Sequence, residues 1–194
     1  MKIAGIDYGS KLAGTTAIAF IEKEKVCLAQ SARKQDADRF ILEWAQSWKP
    51  THLFLDAPLS LPGVYRKMEQ YQDFFYRKGD RQLKAMSPMF LGGLTARAMQ
   101  LKEQLQATGV EVMEVYPAHL AKMLHLSREQ YKKSKEHLPA LAKLVLPLLP
   151  YPMQQEPLTS WHQFDSLLAL ASGYRYTQGQ HLVFGDKAEG LIIV

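Results

Sequence analysis

The chain has 194 residues, of which 47% are hydrophobic and 22% charged, and this composition excludes a largely disordered or collagen-like protein. Its length suits one domain over residues 1–194, with room for an inserted lobe but not for a second full-sized domain. The net charge of +5 favours a polyanionic partner, although solvated lysine faces give the same charge. One cysteine, Cys27, excludes an internal disulfide framework. No apolar run reaches the ~20 residues of a membrane span, so we expect a cytoplasmic protein without membrane contact.

The first predicted strand ends in an acid. Apolar residues from Ile3 to Ile6 lead directly into Asp7, and residues 8–14 form a glycine-containing turn. A buried carboxylate needs a cation, a metal ion or several hydrogen-bond donors. Asp7 is therefore a candidate site residue, and the alternative is an aspartate that caps the following turn.

Two further apolar runs, residues 15–21 and 26–30, flank a short charged connection and predict a hairpin. With the first strand they give three antiparallel strands. Apolar residues recur at helical spacing from Asp36 to Trp48, and Pro50 ends this predicted helix.

A second apolar strand, residues 53–55, also leads into an acid. Asp56 follows it directly, and Pro58 prevents the strand from continuing as a central one. A third acid, Glu114, lies near the end of a predicted strand over 110–115. The alternative for Glu114 is a surface glutamate, because Glu111 lies on the same strand.

Aromatic and basic residues alternate in segment 63–91, between the second strand-end acid and the next predicted helix. We predict that this segment is an insertion or lid, because loops on a rigid sheet often carry binding function. Its aromatic rings could stack on bases while Arg66 and Arg77 contact phosphates. The alternative is a small helical subdomain with these rings as its core.

A long helix is predicted from Trp161, with Ser160 as its N-cap. Asp165 lies near the start of this helix, where the helix dipole alone would favour an acid. His162 lies three residues earlier and can share a face with Asp165. Residues 181–184 and 190–194 predict a final hairpin.

Taken together, four acids follow a common pattern: three end strands, and one lies on the C-terminal helix. Clustered carboxylates repel one another, and their hard oxygen ligands suit Mg²⁺ or Mn²⁺. Two such ions would support phosphodiester hydrolysis. The sequence therefore predicts a two-ion site made by Asp7, Asp56, Glu114 and Asp165, with DNA or RNA as the partner.

Five motifs also resemble the prokaryotic family of predicted RNase H-like nucleases called domain of unknown function family 429. They are GIDYGSKLAG, LDAPLSLP, EVYPAHL, KKSK and FDSLLALASGY. The resemblance implies an α/β, RNase H-like mixed five-stranded sheet flanked by helices, with a helical insertion and a C-terminal hairpin.

The same resemblance implies that the four acids bind metal and that Lys132 and Lys133 contact phosphate. The family often carries a second acid in the last helix, whereas here Ser166 follows Asp165 and His162 precedes it. His162 and Lys133 are candidates for proton or phosphate handling. Two alternatives are a phosphotransferase of the actin and sugar-kinase type and a non-catalytic nucleic-acid-binding or protein-binding module with the same fold.

Overall fold

The structure is a computed structural model that describes residues 1–126, 130–154 and 157–194. Its strands are β1 (Ile3–Asp7), β2 (Ala17–Glu22), β3 (Lys25–Gln30), β4 (His52–Asp56), β5 (Glu111–Val115), β6 (Val183–Asp186) and β7 (Gly190–Ile193). Its α-helices are α1 (Ala37–Trp48), α2 (Lys78–Leu83), α3 (Pro88–Leu91), α4 (Gly93–Gln106), α5 (Pro117–Met123), α6 (Leu138–Val145) and α7 (Trp161–Thr177).

All seven strands form one mixed sheet in the order β3-β2-β1-β4-β5-β7-β6. Strands β1, β2 and β3 are antiparallel neighbours, whereas β4 and β5 run parallel to β1. The predicted three-stranded start, the α/β class and the mixed sheet are confirmed.

The C-terminal hairpin corrects the predicted number of strands from five to seven. Strand β7 pairs in parallel with the end of β5, through Glu114 with Ile192 and Val115 with Ile193, and β6 pairs with β7. The hairpin itself is confirmed. It extends the central sheet because the end of β5 would otherwise leave unpaired backbone groups.

Two hydrophobic cores lie on opposite faces of the sheet. One is built around α7 with α5 and α6, and the other lies beneath α1 and α4. Helix α7 packs very closely on β1, because a Cβ atom added at Gly5 would lie 2.0 Å from the backbone nitrogen of Leu170. The start of α7 is therefore held near the end of β1.

Segment 63–91 connects β4 to α4 and contains a 3₁₀ turn (Gly63–Arg66), α2 and α3. That this segment is an insertion or lid remains a prediction. In the described residues, no helix is long and apolar enough to cross a membrane.

Candidate active site

Three of the four predicted acids point into the same region at the carboxyl ends of β1 and β4. Asp7 and Asp56 are paired in register on these adjacent parallel strands, so both side chains emerge on the face covered by α7. Asp165 reaches this region from the first turns of α7 and is 3% exposed. Ser160 caps the helix, as predicted, by accepting a hydrogen bond from the Gln163 amide.

These carboxylates act on one another electrostatically. Burial raises the pKa of Asp7, and the charge of Asp165 raises it further, while the hydrogen bond with His162 lowers it. Burial also raises the pKa of Asp56 well above its usual value, and the charges of Asp7 and Asp165 add to this effect. The site therefore concentrates negative charge that a cation would stabilise.

Two basic side chains already contact the acids. Nδ1 of His162 lies 2.7 Å from Oδ2 of Asp7, and this hydrogen bond raises the pKa of His162. Nζ of Lys132 lies 2.7 Å from Oδ2 of Asp165. Burial lowers the pKa of Lys132, but the nearby carboxylates outweigh that effect and raise it.

Tyr131 is a neighbour of the site that sequence reasoning missed. Its hydroxyl donates to Oδ1 of Asp165 over 2.6 Å, so both oxygens of Asp165 have a partner. Burial and the charge of Asp165 raise the pKa of Tyr131, which keeps the hydroxyl protonated as a donor. The only sequence signal was its position beside Lys132.

The turn after β1 shows that Asp7 is not needed as a turn cap. The amides of Gly9 and Ser10 donate instead to the hydroxyls of Thr16 and Thr15. The carboxylate of Asp7 faces His162. This arrangement argues against the alternative in which Asp7 only caps the turn.

A second network, also missed from sequence, holds the chain just after Asp7. The Tyr8 hydroxyl donates to Asp38, and Arg97 binds both Asp38 oxygens at 2.9 and 2.6 Å. Arg97 also donates to the carbonyl of Gly9 at 3.3 Å. Helices α1 and α4 thereby fix the backbone that carries the first acid.

Glu114 occupies the opposite face of the sheet from Asp7 and Asp56. It is in register with Leu55, so its side chain points towards the α1 and α4 side. Its two oxygens accept hydrogen bonds from Arg77 at 2.6 and 2.7 Å, and one also accepts from the Leu59 amide at 2.8 Å. Glu114 nevertheless lines the same cavity as Asp7 and Asp56, and its charge adds to the rise in the pKa of Asp56. Its predicted role as a metal ligand stays a prediction, and binding of a metal would compete with Arg77 for the same oxygens.

Arg77 is 1% exposed, so its side chain is not placed to make the predicted contact to phosphate. Besides Glu114, its guanidinium binds Asp80 at 2.7 and 3.0 Å and Ser60 at 2.9 Å. Burial lowers the pKa of Arg77, but Glu114 and Asp80 outweigh this and keep it charged. The physical reason is that two carboxylates already use the guanidinium donors.

The buried Glu189, from the turn between β6 and β7, extends this network. Its oxygens accept from the amides of Gly63 and Lys78, each at 2.8 Å. Ser60 donates to its carbonyl at 2.5 Å. We call Arg77, Asp80, Glu114, Glu189 and Ser60 the buried polar network. It joins segment 63–91 to the sheet and to the chain just after Asp56.

A cavity of about 350 Å³ opens beside the acids. Its lining includes Asp7, Asp56, Tyr131, Lys132 and Met86. Lys132 is about half exposed. The other two predicted phosphate contacts, Arg66 and Lys133, are exposed, and no described hydrogen bond or ion pair joins their side chains to the acids.

The donor types at this site suit a hard cation. Among the described residues, no group of three or more histidine, cysteine, aspartate or glutamate side chains is already arranged to hold a metal ion. Mg²⁺ is typically bound by one or two carboxylates and keeps several waters, so it does not require such a group. Oxygen ligands from Asp7, Asp56 and Asp165 fit this ion better than zinc.

Comparisons with known proteins gave structural neighbours only. No protein-family model matches the chain, and no curated protein sequence matches it. A Thermus thermophilus RuvC structure is similar at 18% identity and a TM-score of 0.49, covering 93% of this chain and 98% of the other. T. thermophilus RuvC in complex with a Holliday junction substrate is similar at 19% identity and the same TM-score, covering 93% and 97%.

Proposed function

We propose that this protein is a metal-dependent nuclease that hydrolyses phosphodiester bonds in DNA or RNA. The observation that carries the proposal is that Asp7 and Asp56 line one open cavity and that Asp165 is close enough for its charge to act on both. Burial raises the pKa of Asp7 and Asp56, and the charge of Asp165 adds to this effect, which is a cost that a structural role would not require.

In this proposal Asp7, Asp56 and Asp165 hold two Mg²⁺ or Mn²⁺ ions. Asp7 is central for two reasons: the charge of Asp165 raises its pKa, and Asp56 lies beside it in register on the neighbouring strand. When bound, such ions activate water and stabilise the leaving oxygen of a phosphodiester. Glu114 is not included among the ligands, because Arg77 and the Leu59 amide already engage its oxygens.

Three other side chains act on the acids directly. His162 holds a proton at the edge of Asp7 and limits the rotation of that carboxylate. Tyr131 orients Asp165 through its hydroxyl. Lys132 is half exposed beside Asp165, so its ammonium group can also meet a phosphate that enters the cavity. Lys133, the next residue, remains a proposed second phosphate contact.

Cleavage assays with Mg²⁺ or Mn²⁺ on single-stranded, duplex and branched DNA and on RNA test this proposal. We expect cleavage by the wild type and a loss of about 10³-fold in rate for Asp7→Asn, since a metal contributes several kcal/mol to the transition state. Glu43→Gln, an exposed acid on α1, is the matched control and should keep full activity.

If no substrate is cut and calorimetry detects no Mn²⁺ binding, the nuclease proposal is wrong. Hydrolysis of ATP by the same preparation, lost in Asp7→Asn, would instead indicate the phosphotransferase alternative. Nucleic-acid binding that is unchanged in Asp7→Asn, without cleavage, would indicate a binding module.

A further inference from the structure

Segment 63–91 exposes an unusual concentration of large apolar side chains. Ten large hydrophobic residues are exposed in the described part of the chain, and five of them lie in this segment: Tyr65, Phe74, Phe75, Met86 and Phe90. Single exposed apolar residues are ordinary, but a cluster marks an interaction surface. The alternative in which these rings form an internal core does not fit Phe74, Phe75 and Phe90, which are 55%, 53% and 63% exposed.

Three rings of the segment form a continuous group that we call the aromatic shelf: Phe75, Tyr76 and Phe90. The ring centroid of Phe90 lies 5.7 Å from that of Phe75 and 5.9 Å from that of Tyr76. Ser87 holds the group together, because its hydroxyl donates to the carbonyl of Phe75 and caps α3, which carries Phe90. The shelf is therefore positioned by backbone contacts, although Phe75 and Phe90 are exposed and Tyr76 is only partly buried.

Residues adjacent to the aromatic shelf in the chain line the cavity of the candidate active site. Met86 and Leu91 line that cavity together with Asp7 and Asp56, and Leu91 follows Phe90 directly in the chain. Met86 immediately precedes Ser87, which binds the Phe75 backbone. The backbone that carries the shelf therefore continues directly into the lining of the cavity.

Basic side chains surround the shelf. The segment carries six lysines and arginines against three acids. Arg81 lies with its guanidinium carbon 3.8 Å from the ring centroid of Tyr76, and Lys78 and Lys84 are exposed. Exposed aromatic faces beside free positive charge match the chemistry of nucleic acid, whose bases stack and whose phosphates are anionic.

We propose that the aromatic shelf stacks against unpaired bases, so that the substrate class is single-stranded or locally unpaired nucleic acid. This inference rests on the proposed function for the reaction itself. A duplex hides its base faces within the helical stack, so it offers the rings little contact. A second copy of this chain is a poorer occupant, because its own basic segment would repel this one.

Fluorescence anisotropy in EDTA tests the inference without any contribution from metal ions or cleavage. The probes are a labelled single-stranded oligonucleotide and a duplex of the same length. We expect the wild type to bind the single strand more tightly. The double variant Phe75→Ala/Phe90→Ala should weaken this binding about 5- to 150-fold for each ring that stacks on a base. Leu144→Ala, an equally exposed apolar residue on α6, is the matched control and should bind as the wild type does.

Leucine variants separate stacking from folding. Phe75→Leu/Phe90→Leu keeps apolar bulk and should still lose affinity for the single strand, whereas Phe75→Trp should keep it. Wild-type affinity in the double leucine variant, or a preference of the wild type for duplex, would overturn the inference. Self-association of the wild type that is lost in the alanine variant, with unchanged nucleic-acid affinity, would also overturn it.

The two proposals can fail separately. Single-strand binding that depends on the shelf, without cleavage in Mn²⁺, supports the shelf and contradicts the nuclease. Cleavage that is unaffected by the double alanine variant, with equal affinity for single strand and duplex, contradicts the shelf alone.

Discussion

Asp56 carries an electrostatic cost in the folded site. Burial, Asp7 and Asp165 together raise its pKa in the folded protein above its unfolded value of about 3.9. The folded state therefore binds this proton more tightly than the unfolded state does. The metal-free protein should lose stability as the pH rises from about 4 through the folded pKa of Asp56.

We therefore expect Asp56→Asn to raise the melting temperature of the metal-free protein at pH 7, and to change it little at pH 4. Each kcal/mol gained in free energy of unfolding raises the melting temperature by about 2–4 °C for a chain of this size. Thermal denaturation in EDTA at the two pH values measures the effect. A melting temperature lowered at both values would contradict the repulsion between these acids, and Glu43→Gln controls for loss of an exposed charge.

Asp7 should be required for stabilisation by metal. A ligand that binds only the folded state adds about 2.7 kcal/mol when its concentration is a hundred times Kd. We expect Mn²⁺ to raise the melting temperature of the wild type at pH 7 and to leave that of Asp7→Asn nearly unchanged. Equal gains for both proteins would place the bound ion elsewhere.

Single residues show which features of the site could be predicted from the sequence and which could not. Asp7 and Asp56 were recognisable because each follows an apolar strand and precedes a turn. Glu114 has the same local pattern, but it faces the other side of the sheet. The pairing register between strands decides that orientation, and the register depends on contacts far apart in the chain.

Arg77 illustrates the same limit for charge. In the sequence it is one of several basic residues, and its burial depends on Glu114, 37 positions away. The spacing of Arg77 and Asp80 was the one local signal of an ion pair.

At the scale of elements, the contact between β1 and α7 sets the distance between the strand-end acids and Asp165. Gly5 permits this contact, because an added Cβ would lie 2.0 Å from the Leu170 nitrogen, and a backbone atom cannot easily move aside. We expect Gly5→Ala to destabilise the protein by at least about 1–3 kcal/mol. Urea denaturation measures this loss.

Gly93→Ala is the matched control for that substitution. Gly93 begins α4, and an added Cβ would meet nothing within 4 Å. Alanine there should be neutral or stabilising by up to about 1 kcal/mol. Equal stability of the two variants would contradict the close packing of α7 on β1.

The buried polar network links segment 63–91 to β5 and to the C-terminal hairpin. Arg77→Met leaves Asp80 and Glu114 buried without their cation, so we expect it to cost about 3–5 kcal/mol. Chemical denaturation checks this value. Arg81→Met removes an exposed pair with Asp73 and should cost at most about 1 kcal/mol.

A further comparison separates the ion pair from simple loss of packing. The double variant Arg77→Met/Glu114→Gln should lose less free energy of unfolding than its two single variants lose together. Each single substitution leaves the charge of the other residue without this partner, and the second substitution removes that charge. Strict additivity would contradict direct coupling between these side chains.

Most elements were predictable from local patterns. Helical spacing and caps indicated α1 and α7, and alternating apolar runs around short turns indicated the first hairpin and the last. The parallel pairing of β7 with β5 was not predictable, because only two residue pairs join these strands across a long stretch of chain. For the same reason the role of Glu189 was not predictable, because Glu189 joins the buried polar network from that hairpin.

At the scale of the molecule, one sheet carries two clusters of charge that border the same cavity. On the α7 face, Asp7, Asp56 and Asp165 act on one another, and His162 and Lys132 are their basic neighbours. On the other face, Glu114 is matched by Arg77 and stabilises the chain after Asp56. Asp7, Asp56 and Glu114 all line the cavity, and Glu114 differs in that Arg77 and the Leu59 amide engage its oxygens.

Anomalous diffraction from a crystal soaked in Mn²⁺ tests the central claim most directly. We expect anomalous peaks from Mn²⁺ at carboxylate oxygens of Asp7, Asp56 and Asp165, with the ion pair between Arg77 and Glu114 intact. Manganese bound only elsewhere on the protein, or an Asp7–Asp56–Asp165 cluster that stays without manganese at saturating concentration, would contradict it.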